Sequence, residues 1–148
     1  MVPGVWPRLW PTRRPPGAGM LWPSASGMAS GGGRVRYAMI ARGRGVILFT
    51  GATSAIRGRK GALDFSSAKF GLRGFADALA RELWPQGIHV AHIVIDGEIG
   101  EPGAGDQPGD PKLDPDSIAA SYWMLAGQEL SAWTFELEVR PSREDFFV

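Results

Sequence analysis

The chain of 148 residues contains no cysteine. That excludes a disulfide framework, a thiolate zinc site and a cysteine nucleophile. It has two histidines, His89 and His92, too few for a histidine-rich metal centre. Residues 1–87 contain no asparagine, and no lysine precedes Lys60. No apolar run approaches the roughly 20 residues that a membrane helix needs, so no membrane association is expected. Acidic residues are missing from the first part of the chain. From Met1 to Leu63 there are ten basic residues and no acidic one, a charge of +10. From Asp64 to Val148 there are six basic and fifteen acidic residues, a charge of −9.

Such asymmetry has three readings: a basic arm for nucleic acid, a targeting segment, or an inert extension. The residues favour the last. Trp6, Pro7, Trp10, Pro11, Pro15, Pro16, Trp22 and Pro23 are followed by Gly31-Gly32-Gly33. Prolines this dense prevent a continuous amphipathic helix, which counts against a transit peptide. The arginines are scattered, so nucleic-acid binding is not expected. Residues 1–33 therefore read as an irregular tail, and 34–148 as the folded domain. Composition supports that domain: 44% hydrophobic and 21% charged residues are globular proportions.

Within the domain, RVRYAMIAR (34–42) is a short helix candidate, and GVILFTG (45–51) an apolar, β-branched strand. Residues 52–61 form a glycine- and hydroxyl-rich loop. Residues 63–84 carry the strongest helical period, with Phe65, Ala68, Leu72, Phe75, Ala76, Leu79 and Leu83 as the core face. Pro85-Gln86-Gly87 ends it. IHVAHIVI (88–95) is a second buried strand, and 96–111 a turn-rich loop. Asp114-Pro115-Asp116 opens a helix to Glu129, with proline at the favoured first position. WTFELEVR (133–140) alternates as a half-exposed strand with Phe135, Leu137 and Val139 on one face. Strands separated by helices imply a parallel sheet. The ligand crevice of such a sheet lies beyond the strands' carboxyl ends, here residues 50–56 and 96–101.

The stretch GRGVILFTGATSAIRG…FSSAKFGLRGFADALARELWPQGIHVAHIVIDGEI, residues 43–99, resembles the later half of the short-chain dehydrogenase/reductase family. Residues 113–141 are similar to the C-terminal end of one bacterial branch. The resemblance implies an α/β fold, a partial Rossmann-type parallel sheet lacking the N-terminal glycine-rich βαβ unit. No TGxxxGxG turn precedes residue 43, and that turn sets backbone amides against a pyrophosphate. The implied activity is hydride transfer between NAD or NADP and a small alcohol or carbonyl compound, in the cytoplasm, with weak cofactor binding by the isolated chain.

The family's YxxxK motif falls on Phe65-Ser66-Ser67-Ala68-Lys69. The i, i+4 spacing puts the first and last on one helix face. By the resemblance, Lys69 holds the nicotinamide ribose, while Phe65 has no hydroxyl with which to transfer a proton. Ser66 and Ser67 point elsewhere on the helix, and Phe65 is most simply core. Thr53 and Ser54 stand near the place of the family's substrate-holding serine. Asp96-Gly97 replaces a Pro-Gly turn, so Gly97 and Ile99 are the candidates beside the nicotinamide. Asp96 ends a strand where a polar ligand contact is possible, although Asp-Gly is also ordinary turn chemistry. His89 and His92 are expected to be structural, and Trp123 and Trp133 to fill a small local core. Two functions follow: a short-chain-type oxidoreductase acting on a small molecule, or a non-catalytic remnant or assembly module. The second would pack helix 63–84 on a full-length relative, and the same helix makes a homo-oligomer possible.

Overall fold

A computed structural model describes residues 20–21, 32–103 and 106–144. The elements are β1 (Met20–Leu21), α1 (Gly32–Arg42), β2 (Gly45–Thr50), α2 (Leu63–Leu83), β3 (Ile88–Ile95), β4 (Asp106–Gln107), β5 (Asp110–Pro111), α3 (Pro115–Ala126) and β6 (Glu136–Val139). The sheet runs β1-β2-β3-β6, parallel throughout. This is the α/β architecture expected of a partial Rossmann-type sheet. The two-residue β1 pairs Met20 and Leu21 with Val46 and Ile47, inside the stretch expected to be irregular. Two residues give no period to read, so nothing in the sequence announces it. Residues 1–19 and 22–31 of that tail, with its Trp-Pro pairs, lie outside the described residues. α1 opens at Gly32, within the glycine run rather than at Arg34.

The period-2 alternation of the strands sorts the core into two layers. Ile47, Phe49, Ile88 and Val90 face α1 and α2, where they meet Met39, Ala76, Leu79, Ala80 and Leu83. Leu48, Ala91 and Ile93 face α3, where they meet Tyr122 and Leu125. Full burial of each large apolar side chain contributes about 2 kcal/mol.

The buried stripe of α2 differs from the expected one at its N-terminal end. Ser66, Ala76, Leu79, Ala80 and Leu83 are buried. Phe65 and Phe75 are exposed by 48% and 42%, and Ala68 is exposed. Phe65 is therefore not core: α2 overhangs the sheet's carboxyl edge here, and no layer covers it. Phase is lost at the other end of the sheet as well. Phe135 packs with the α2-side cluster, whereas Leu137 and Val139 join the α3 side. Ladder pairing begins only at Glu136, so the alternation does not reach back to Phe135. Trp133 stacks on His89 at 4.9 Å with the rings 6° apart. The loop after β3 holds the β4–β5 hairpin, turned at Gly109.

α3 starts as its Asp-Pro signal predicts. The Asp114 carboxylate caps the helix by accepting from the Asp116 N–H at 3.3 Å and the Ser117 hydroxyl at 3.1 Å. It also accepts from the Gly103 N–H at 3.2 Å, which ties the preceding loop to the helix. These bonds, that from Gly103 first, hold its pKa below the ordinary carboxylate value. Among the described residues no helix is long and apolar enough to cross a membrane, and no group of residues is arranged to hold a metal ion.

Candidate active site

The carboxyl ends of β2 and β3 open into a cleft of about 510 Å³. Its floor and walls come from the loop after β2, the start of α2 and the turn after β3. Thr53 and Ser54 sit in a short 3-10 turn, Thr53–Ala55, that follows directly from β2. Asp96 and Gly97 form the wall opposite. The sequence-based expectation of a crevice at 50–56 and 96–101 is met at these residues.

Asp96 is buried, at 8% exposure, and both its oxygens are engaged. The Thr53 hydroxyl donates to Oδ1 and the Arg140 guanidinium to Oδ2. Arg140 also donates to Glu138 at 2.8 Å. A carboxylate this deep needs such partners, since an unpaired buried charge is costly. The Asp-Gly pair is thus more than a turn: its carboxylate clamps the loop after β2 to the end of β6. Gly97 has φ 145, and a Cβ there would lie 2.7 Å from Pro141. Only glycine suits that wall.

Lys69 and Phe65 lie on one face of α2, as the four-residue spacing requires. The Lys69 ammonium sits 5.6 Å from the Phe65 ring centroid and donates to the Thr50 carbonyl at 2.9 Å. With no hydroxyl on residue 65, the ammonium rests on the aromatic face and the last carbonyl of β2. Burial pushes the Lys69 pKa down. Ser66 and Ser67 are occupied locally: the Ser66 hydroxyl oxygen accepts from the Arg59 N–H at 3.2 Å, and Ser67 donates to the Leu63 carbonyl at 2.7 Å. Ile99 is exposed and bridges to Leu113, away from the cleft wall.

Behind the cleft lies a network without an apparent sequence signal. Glu136 on β6 takes Nε of Arg73 at 2.7 Å and Nη2 at 2.9 Å, the bidentate geometry of a strong pair. Its Oε2 also meets Nδ1 of His92, its cross-strand neighbour, at 3.0 Å. The Arg73 hydrogen bond, foremost, lowers the Glu136 pKa. Burial lowers that of His92, with the Glu136 bond opposing. His89 lies on the other face of β3, where it bonds the Thr134 carbonyl at 2.8 Å. Both histidines therefore occupy structural places.

Comparison with known proteins bears on this geometry. A family model described as short chain dehydrogenase matches residues 26–97. Over that stretch the chain is similar to the short-chain dehydrogenase family. A short-chain dehydrogenase from Rhodopseudomonas palustris is 46% identical, with a TM-score of 0.60, over 74% of this chain and 44% of its own. A metagenomic short-chain oxidoreductase solved in complex with NADP is 26% identical, with a TM-score of 0.59, over 75% of this chain and 45% of its own. Serine dehydrogenase from Escherichia coli shares the fold at 19% identity, with a TM-score of 0.63, over 76% of this chain and 47% of its own. The chain spans less than half the length of each of these three proteins. The matched region starts at residue 26, upstream of the sequence likeness at residue 43.

Sequence reasoning missed the cations of the cleft rim, Arg57, Arg59 and Lys60. Three cations within four residues, directly before a long helix, were the available signal. It also missed Arg140, whose partner Asp96 is 44 positions away.

Proposed function

We propose that the chain is an NAD(P)-linked oxidoreductase of the short-chain dehydrogenase type, acting on a small alcohol or carbonyl compound. The observation that carries this reading is the placement of Lys69 on the last carbonyl of β2, next to a cleft lined by Thr53 and Ser54 at the carboxyl ends of two parallel strands. The solved NADP complex of a 26% identical relative supports the choice of cofactor. The residues present fit the nicotinamide half of such a cofactor. Lys69 spends one of its three N–H donors on Thr50, and the others suit ribose hydroxyls. Gly97, in the cleft wall, would take the nicotinamide side, whereas Ile99 lies away from that wall. The bound cofactor supplies a hydride acceptor or donor. No glycine-rich phosphate turn of the family's type is present in this sequence, so the isolated chain binds weakly.

Thr53 and Ser54 hold the substrate oxygen. Phe65 cannot exchange a proton. The oxygen groups of the cleft wall able to do so are Ser54 and Asp96, the latter reached through the Thr53 hydroxyl. The test is a fluorescence titration with NADPH and NADH, followed by turnover of small alcohols and ketones. Binding weaker than roughly micromolar is expected. Phe65→Tyr should raise any turnover by about 100- to 10,000-fold, the usual worth of a placed general acid, and Lys69→Ala should abolish the gain. Turnover indifferent to both changes refutes the assignment of Lys69.

The second reading is an assembly module. Leu63, Phe65, Phe70 and Phe75 leave apolar surface on α2, with Leu63 exposed by 83%. Self-association without cofactor binding or turnover in the same experiment selects it.

A further inference from the structure

A neutral alcohol or ketone needs no cation around it, yet the cleft rim is strongly basic. Arg57, Arg59 and Lys60 all line it. Asp96 is the one carboxylate in the described wall, and its charge is matched by Arg140. Among the described residues neither Arg59 nor Lys60 has an ion-pair partner. The loop that carries them is anchored, because the Arg59 N–H donates to the buried Ser66 hydroxyl. The same loop runs into the N-terminal end of the 21-residue α2. No side chain caps that end: residue 62 is alanine and makes no side-chain hydrogen bond. The helix dipole adds partial positive charge there, while Asp64 in the first turn is exposed and outside the wall. Beside this positive rim the Phe65 ring stands half open.

We propose that the cleft binds a small molecule carrying a carboxylate or phosphate group. Its negative charge lies against Arg59, Lys60 and the uncapped end of α2, and its apolar part lies over Phe65. This gives the substrate of the reading above a charged class. It rests on that reading only for calling the ligand a substrate, since binding is measured without turnover.

The test uses the full chain, labelled with nitrogen-15, at constant ionic strength. The probes are benzoate, its neutral analogue benzamide, and inorganic phosphate. Benzoate or phosphate should produce saturable amide shifts confined to residues 52–60 and 96–97 by roughly ten millimolar, an affinity of the weak-fragment class. Saturation by benzoate assigns a carboxylate, and saturation by phosphate alone assigns a phosphate-bearing ligand. Arg59→Gln with Lys60→Gln should weaken the anion about tenfold or more, the loss expected for one charge-assisted hydrogen bond, and leave benzamide unchanged. Should that variant lose its dispersed spectrum, the single charge reversal Lys60→Glu serves instead. Diffuse shifts without saturation, benzamide binding as tightly as benzoate, or variants that bind like the native chain overturn the proposal. Anion binding in a chain with no nicotinamide-linked turnover leaves it standing and removes the oxidoreductase reading. Turnover of neutral alcohols that benzoate does not inhibit removes this inference alone.

Discussion

Replacing Gly51 by alanine should cost about 3 kcal/mol of stability. Gly51 is the first residue after β2 and is buried, with its N–H donating to the Ile93 carbonyl. Its backbone is not in the left-handed region, so the cost is steric. A Cβ would press on Nε2 of His92, lie 2.5 Å from its Cε1, and lie 2.9 Å from the Ile93 carbonyl oxygen. His92 has nowhere to go: it is fully buried, and its other nitrogen is held by Glu136 at 3.0 Å. Forcing a methyl into such a closed interior costs about 1–3 kcal/mol. Displacing the imidazole from Glu136 leaves a buried polar group without its partner, which adds about 1–3 kcal/mol. With a urea dependence of about 1–3 kcal/mol per molar, typical of small domains, the unfolding midpoint should fall by more than about 1 M. Gly58→Ala in the same loop is the control, since a Cβ there meets nothing within 4 Å. It should shift stability by less than about 0.5 kcal/mol. The pair Gly51→Ala and His92→Ala should be strongly non-additive, because the second change removes what the first collides with. An unchanged midpoint for Gly51→Ala, or additive losses in the double variant, refutes the contact.

Acid should destabilise the fold through His89 and His92. Burial holds both imidazoles below their ordinary value of 6.5, so the unfolded chain takes up protons first. Stability is then full above about pH 6.5 and falls as pH drops toward the folded values, by at most about 1.4 kcal/mol per pH unit for each histidine; urea midpoints measured between pH 7 and 5 check this. Asp114→Ala should cost about 1–2 kcal/mol by removing the α3 cap, and it should loosen the loop that Gly103 ties to it, read as faster amide exchange at Gly103.

The parts of this fold legible in the sequence are those whose signal is local. GVILFT and IHVAHIVI are continuous apolar runs, and a strand buried on both faces reads that way. Asp114-Pro115 carries its own start signal. α2 is legible as a helix but not in its burial, because periodicity reports a face and not how far the neighbouring layer extends. Phe65 shows the difference: its spacing is that of the core, and its position is beyond the sheet edge. The position of the cleft was legible at the strand ends, where Thr53, Ser54 and Gly97 line it as topology dictates. It was not legible wherever one partner is far along the chain. Asp96 looks like a turn residue until Arg140 arrives beside it, and Arg73 looks like a solvated helix residue until Glu136 meets it, 63 positions on.

These long-range pairs also explain how one helix serves both core and cleft. α2 is held to the sheet by two kinds of contact along its length. From Ala76 to Leu83 the contact is apolar and dry, against Phe49, Ile88 and Val90. Toward the N-terminal end it is made by two cations one turn apart: Lys69 donates to the end of β2, and Arg73 to Glu136 on β6. Apolar packing is close to rigid, whereas a part-exposed lysine bond is worth little on its own. Stability therefore concentrates at the C-terminal half of α2, and the half that borders the cleft retains freedom to exchange protein contacts for ligand contacts. Lys69 is the clearest instance, because its bond to the Thr50 carbonyl is single and neutral-partnered. A ligand hydroxyl can join it without breaking any ion pair, whereas recruiting Arg73 would break its bidentate pair with Glu136. On the proposed reading, ligand contacts on α2 would therefore fall on its first two turns, ahead of the network that begins at the third.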